Sequence, residues 1–424
     1  MFEPKVISLV VFVVAYVLFV FLSNKRTLVA VCGAVLVILL GAISWKEAFF
    51  AINWNVMGIF VGTLVVADIF MESRVPAYLA EVIVDKAKST AWAILFLCLL
   101  TGFISAFVEN VATVLIVAPI ALSLAKKLKI NPTKMMIAIA ISSNLQGTAT
   151  LIGDPPSMLL GGFAKMDFTD FFFYRGRPSI FFAVELGAIS SFFILYFIFR
   201  SHREKIKLIM VEKVKSLVPA FILVTLIVLL AASSFFDVGF SYMAGVLCMV
   251  FGVILILWKE FMDRGSLLRG IKSLDWDTTF FLIGIFILVG SITITGWIEV
   301  ISSFLSGLIG KNIFFGYTLL VFISVFVSAF VDNVPFLAAM LPVAISMSNN
   351  LQTNPSLFLF GLLIGASLGG NISPIGASAN IVACGLLKKK GYEVKFPDFV
   401  RIGLPFTLAA VVPAYLFIWL VWRG

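Results

Sequence analysis

SAFVENVATVLIVAPI (Ser105–Ile120) and NLQGTATLIGDPPS (Asn144–Ser157) set acids, amides, hydroxyls, glycines and paired prolines inside strongly apolar sequence. Sliding the chain by 223 residues lays SAFVENV on SAFVDNV (Ser328–Val334), and NLQGTATLIGDPPS on SLGGNISPIGASAN (Ser367–Asn380). Between Ser105 and Gly162, 18 of 58 positions match without a gap, among them Asn110, Pro119, Asn131, Pro132, Gly147 and Gly153. Apolar composition alone does not align prolines, asparagines and glycines. The chain is an internal duplication, and its polar interruptions are the expected working site.

The 424 residues are 61% hydrophobic and 12% charged, with a mean hydropathy of +1.12. That composition excludes a soluble domain and predicts an all-α polytopic membrane protein. The first apolar segment, 6–22, carries no small-residue cleavage site and reads as a retained span. With about 20 residues per span, full crossings are expected near 5–23, 27–43, 54–71, 178–199, 217–233, 239–258, 277–295 and 402–421. Two more are broken, 134–163 and 357–387. Segments 91–128 and 312–349 fold at SAFVENV and SAFVDNV into arms of about 17 residues, short for a span, and read as re-entrant hairpins.

Residues 1–199 form one repeat and 217–424 the other, joined by a charged linker at 200–216. Ten spans plus two hairpins place five crossings in each repeat. Five is odd, so the repeats run in inverted topology. Charge bias gives the orientation. With the 200–216 loop cytoplasmic, 24 of the 31 Lys and Arg fall on that side and 7 on the other. Both termini are then outside a cell (inner) membrane. The net charge of +9 is this loop bias, so no nucleic-acid partner is implied. The four cysteines are scattered through apolar segments without metal or disulfide spacing, and the one histidine, His202, sits in the basic linker.

Backbone at lipid depth cannot stay unpaired unless protein or a wet cavity surrounds it. Gly147, Gly153 and Pro155-Pro156 break the first helix, and Gly370, Ser373 and Gly376 the second, with the glycines expected to supply positive φ. Each break frees carbonyls on one half-helix, suited to Na⁺, and N–H groups on the other, suited to anions. Side chains expected around this site are Ser105, Glu109, Asn110, Thr113, Asn144, Thr148, Thr150 and Asp154 in the first repeat. Ser328, Asp332, Asn333, Asn371, Ser373, Ser378 and Asn380 are their counterparts in the second. Asn110, Asp154 and Asn333 are the Na⁺ candidates.

Glu109 and Asp332 precede the matching asparagines. They are read as ion ligands, H⁺ carriers or caps of the second hairpin arm. Asp154 faces Ala377 across the duplication, so it is the one unmatched acid, either a coupling-ion site or a cap on the helix opened by the prolines. Glu185 reads as a proton-path residue or a partner for a neighbouring helix, Gly58 and Gly62 as close helix packing. Asn53-Trp54-Asn55 and Asp275-Trp276-Asp277 read as interfacial anchors with caps. Apart from Lys134 at the loop edge, no Lys or Arg lies in the broken segments, so an anion would be neutralised by helix ends, hydroxyls and co-bound cations. No Walker loop, GxSxG or HExxH is present, and the chain reads as a transporter rather than an enzyme.

SAFVENVATVLIVAPI, NLQGTATLIGDPPS, SAFVDNV, GNISPIGASAN and KKKGYEVKFPDFVRIGLP resemble the ion transporter superfamily. The nearest branch holds arsenite permeases, NhaD-type Na⁺/H⁺ antiporters and the melanosomal P protein, with a citrate-transporter-like domain. Glu109 stands for the usual Asp, Ala112 for a Thr and Ser157 for an Asn. The resemblance implies a homodimer in lipid, an elevator-type motion, and a soluble ATPase partner in the case of an arsenite pump. It carries a secondary transporter of a small inorganic ion or oxyanion (arsenite-like) coupled to H⁺ or Na⁺, with no cofactor beyond that ion. Na⁺/H⁺ antiport and Na⁺-coupled di- or tricarboxylate transport are the alternatives, and a channel is disfavoured by the inverted repeat.

Overall fold

The computed structural model describes residues 3–22, 25–204, 212–237, 239–263, 274–310 and 312–424. Lys311 and parts of the expected linker (205–211) and basic loop (264–272) fall outside this set. The described residues form nineteen α-helices and one two-stranded hairpin, β1 (Phe173–Tyr174) and β2 (Arg177–Pro178).

The first repeat contains α1 (Pro4–Phe21), α2 (Arg26–Leu39), α3 (Trp45–Ala51), α4 (Trp54–Glu72), α5 (Val75–Lys86), α6 (Thr90–Ser105), α7 (Asn110–Leu128), α8 (Thr133–Gly147), α9 (Pro155–Ala164) and α10 (Ile180–Phe199). The second contains α11 (Val218–Ser233), α12 (Met243–Asp263), α13 (Trp276–Ile294), α14 (Trp297–Ile309), α15 (Ile313–Ser328), α16 (Asn333–Asn350), α17 (Pro355–Gly369), α18 (Ser378–Lys389) and α19 (Phe396–Trp422). Eight of the described helices are long and apolar enough to cross a membrane. The outward faces of α1, α11 and α12 are paved with exposed Val10, Val14, Val17, Phe221, Val228, Val250 and Leu257, as lipid contact requires. By contrast α8 and α17 are buried on nearly every side, so the two broken helices form the protein's centre.

The packing is reciprocal between repeats. α2 packs on α13 and α12 on α4; α7 touches α18 and α16 touches α9; α10 and α19 pack on each other. An internal two-fold relation produces such exchanged partners. Sequence spacing left 72–90 and 296–311 as plain connections, whereas each holds a helix, α5 and α14, placed just before a hairpin and packed on it. At 12 and 13 residues they are too short to register as spans. α3 was likewise missed; a Ser44–Glu47 capping box starts it.

The arms α6 and α15, at 16 residues each, rise only about 24 Å. Gly58 and Gly62 do serve helix packing. A Cβ at Gly58 would meet the Gly245 backbone at 3.0 Å, and one at Gly62 the Cys248 backbone at 2.3 Å. The second repeat repeats the device where Gly284 lies against Ala30.

Candidate functional site

The four interrupted elements converge on one small cavity of about 70 Å³. Glu109, Asn110 and Val111 come from the first hairpin tip, Asn333 and Val334 from the second. Asp154, Pro155 and Pro156 come from the first break, and Ala377, Ser378 and Ala379 from the second. Asn144 on α8 completes this group, and Arg26, Phe60, Asp275, Thr278 and Phe281 close the opposite wall from α2, α4 and α13.

Asp154 is 2% exposed. Its Oδ1 accepts from Ser157 N at 2.9 Å, capping α9 ahead of the two prolines. The Asn110 and Thr148 side chains lie near its carboxylate. Glu109 caps α7, accepting from Ala112 N at 3.0 Å, and feels the charges of Asp275 and Asp154. Asp332 caps α16 by accepting from Val334 N at 3.0 Å. All three acids therefore cap helices, and no Lys or Arg among the described residues pairs with Glu109 or Asp154. α18, the half-helix matching α9, starts at Ala377 with no side-chain cap.

Behind these walls the remaining expected residues hold the backbone in place. Ser105 Oγ donates to Asn110 Oδ1 at 2.5 Å and contacts Ser143 Oγ at 2.8 Å. That fixes the Asn110 amide at the hairpin tip. Thr150 donates to the Ala106 carbonyl, and its counterpart Ser373 donates to the Ala329 carbonyl, so each break pins its own hairpin tip. Ser328 donates to the Ala366 carbonyl. Asn144 Nδ2 donates to Asn371 Oδ1 and Asn380 Oδ1, both at 2.9 Å, and Asn380 Nδ2 donates to the Gly370 and Ser373 carbonyls at 2.9 Å. This amide network ties the two broken helices together across the repeats. Thr113 is turned onto its own helix, donating to the Glu109 carbonyl at 3.1 Å, away from the cavity.

The glycines act through closeness rather than positive φ, which none of Gly147, Gly153, Gly370 and Gly376 adopts. A Cβ at Gly147 would stand 2.2 Å from Asn110 Oδ1, and one at Gly153 would stand 2.3 Å from the Gly147 carbonyl. Only bare backbone lets the break fold back on itself under the hairpin tip.

Thr150→Val should leave the buried Ala106 carbonyl without its donor, at a cost of about 1–3 kcal/mol. Expected are a lower melting temperature and weaker ion binding. The same binding as wild type in a folded variant would show that the tip needs no such tie.

Two expectations are corrected. The site does hold a cation: Arg26 is brought in from the start of α2, where it pairs with Asp332. Its Nη1 is 3.5 Å from Ser378 Oγ, its Nη2 3.4 Å from Thr278 Oγ1, and its guanidinium lies 5.0 Å over the Phe281 ring. Asp275 does cap α13, as read, but it also lines the cavity. The echo between Asp275-Trp276-Asp277 and Asn53-Trp54-Asn55 was the available signal for Asp275, whereas Arg26 was one loop charge among many. Glu185 lies near Gln146 on α8, against which α10 packs.

The family model described as citrate transporter matches residues 16–365 and, again, 268–424, which together span most of the chain. The chain belongs to the citrate transporter family. Similar relatives include an uncharacterised transporter of Mycobacterium tuberculosis, 28% identical over 98% of both chains. The mouse P protein is 24% identical over 93% of this chain and 57% of its own length. In three dimensions this family member is similar to the YdaH transporter of Alcanivorax borkumensis (TM-score 0.61, 13% identity, 88% and 86% of the two chains). It is also similar to MtrF of Neisseria gonorrhoeae (TM-score 0.58, 12% identity, 99% and 95%), described as an antimetabolite efflux pump. At such identities the likeness is one of fold. Together with the apolar helices, the family makes this a multi-pass membrane transporter.

Proposed function

We propose that this transporter is cation-coupled, with Glu109 and Asp154 holding the coupling H⁺ or Na⁺ while a small inorganic ion or oxyanion is moved by alternating access. The observation that carries this reading is the pair of acids on one cavity wall without a basic partner. Burying a carboxylate costs several kcal/mol. A proton or a bound cation removes that cost, and Asn110 and Asn144, which line the same cavity, supply neutral oxygens there. The hairpins and broken helices form the moving unit, and α1, α2, α4 and α11–α13 form the scaffold it slides against. The cavity sits at the N-terminal ends of α2 and α13, which follow basic loops. The charge bias makes that side cytoplasmic and sets both termini outside, which supports reading the cavity as inward-facing.

A second reading, Na⁺/H⁺ exchange without another solute, is favoured by the cavity's size and by Glu109, Asp154 and Asp275 outnumbering Arg26 on its walls. About 70 Å³ holds a few waters or a partly dehydrated ion; a tricarboxylate requires it to widen.

The test is flux in proteoliposomes under imposed pH and Na⁺ gradients, screening arsenite, phosphate, dicarboxylates, citrate and Na⁺ alone. One solute whose uptake follows a cation gradient supports the first reading. Collapse of a pH gradient by Na⁺ alone supports the second, and solute flux indifferent to both gradients contradicts cation coupling.

A further inference from the structure

We propose that the Arg26–Asp332 ion pair is a latch that ties the second hairpin tip to the scaffold in the state shown and must open for the moving unit to travel. The inference rests on the transport reading above.

Arg26 is the first residue of α2. A cation there opposes the helix dipole, and α2 has no side-chain cap at that end, so helix stability does not explain the residue. The body of α2 packs on α1 and α13, both scaffold helices. Only the guanidinium reaches across, to Asp332 at the tip of α16 and toward Ser378 at the start of α18. Thr278 and the face of Phe281 hold it from the scaffold side.

Of the four ion pairs among the described residues, this one has the least exposed partners, at 21% and 23%. The others join α5 to the linker, α4 to α12, and two residues within α19. None of those crosses from scaffold to hairpin tip. Asp332 keeps its cap on α16 through Oδ1 while Oδ2 takes the guanidinium, so the pair can break without unwinding the helix. The first tip has no equivalent. Glu109, the counterpart of Asp332, caps α7 and pairs with no Arg or Lys among the described residues. The latch is therefore one-sided, as a device that marks one of two end states must be.

Two measurements test it. In hydrogen–deuterium exchange of the full chain in nanodiscs, Arg26→Gln is expected to raise exchange of amides 329–334 about tenfold, a modest population shift. Amides 106–111 at the first tip should be unchanged. Arg26→Lys, which keeps a cation against Asp332 and leaves the α16 cap intact, should hold the second tip near wild type. A rise at both tips, or at neither, overturns the latch, since the first is general loosening and the second shows no restraint.

Wild-type flux in proteoliposomes is recorded beside the exchange. Exchange as expected from a wild type that moves neither solute nor cation counts against the transport reading and leaves the restraint standing. Flux from a wild type whose second tip is indifferent to Arg26→Gln overturns the latch and leaves the transport reading standing.

Discussion

Asp154→Asn should reduce coupled flux about a hundredfold or more, a barrier change of roughly 3 kcal/mol, while the protein stays folded. The separation of the two effects follows from what each Asp154 oxygen does. Oδ1 caps α9 through Ser157 N, and asparagine is as good an N-cap as aspartate. The cap therefore survives, as does the start of α9 at Pro155-Pro156. What disappears is the charge that a coupling proton or Na⁺ would neutralise beside Asn110 and Thr148. Reconstituted flux and a melting curve on the same preparation check both halves. Wild-type coupled flux in the variant would reduce Asp154 to a cap, and a collapsed melting temperature would make the cap's charge structural. Asp154→Ala should lose the cap as well, adding about 1 kcal/mol of destabilisation.

Gly62→Val should prevent assembly of the fold. The Cβ alone would stand 2.3 Å from the Cys248 carbonyl carbon, and the obstruction is backbone, which cannot rotate aside. Overpacked cores lose about 1–3 kcal/mol where side chains can adjust, so a backbone clash in the α4–α12 seam belongs beyond that range. This seam joins the two repeats, hence the expected loss is of monodisperse protein rather than of a local contact. Gly307→Ala is the control: nothing lies within 4 Å of its Cβ, and alanine in a helix interior favours folding by about 0.5–1 kcal/mol. Equal yields of the two variants would contradict the close-packed seam.

Much of this architecture was legible because lipid leaves a chain few choices. Apolar runs of span length mark crossings, and polar interruptions within them mark protein-lined backbone, so Glu109, Asn110, Asn144, Asp154, Asn333 and Ser378 could be placed around one cavity from spacing alone. The internal repeat supplied the pairing of Thr150 with Ser373, whose hydroxyls perform the same tie. What stayed hidden had short or ambiguous signals. α5 and α14 are below span length, and a connection long enough to hold a helix looks like a loop in hydropathy. Arg26 was invisible as a site residue because its role arises from tertiary packing between residues 306 apart, while its local context, Asn24-Lys25-Arg26, has the composition of an orienting loop. The break glycines were assigned the wrong physics for a similar reason. Positive φ is a local property that sequence suggests, whereas the packing of Asn110 where a Gly147 Cβ would stand, 2.2 Å from its Oδ1, exists only in the folded chain.

The central claim is that the coupling cation is held at Glu109 and Asp154. It is tested most directly by recording internal pH and Na⁺ together in proteoliposomes of wild type and of Glu109→Gln with Asp154→Asn. The wild type is predicted to move H⁺ or Na⁺ in fixed proportion to solute, or to each other, and the folded double variant to move neither cation in response to the other gradient. Cation movement by the double variant at the wild-type rate and proportion would contradict the account.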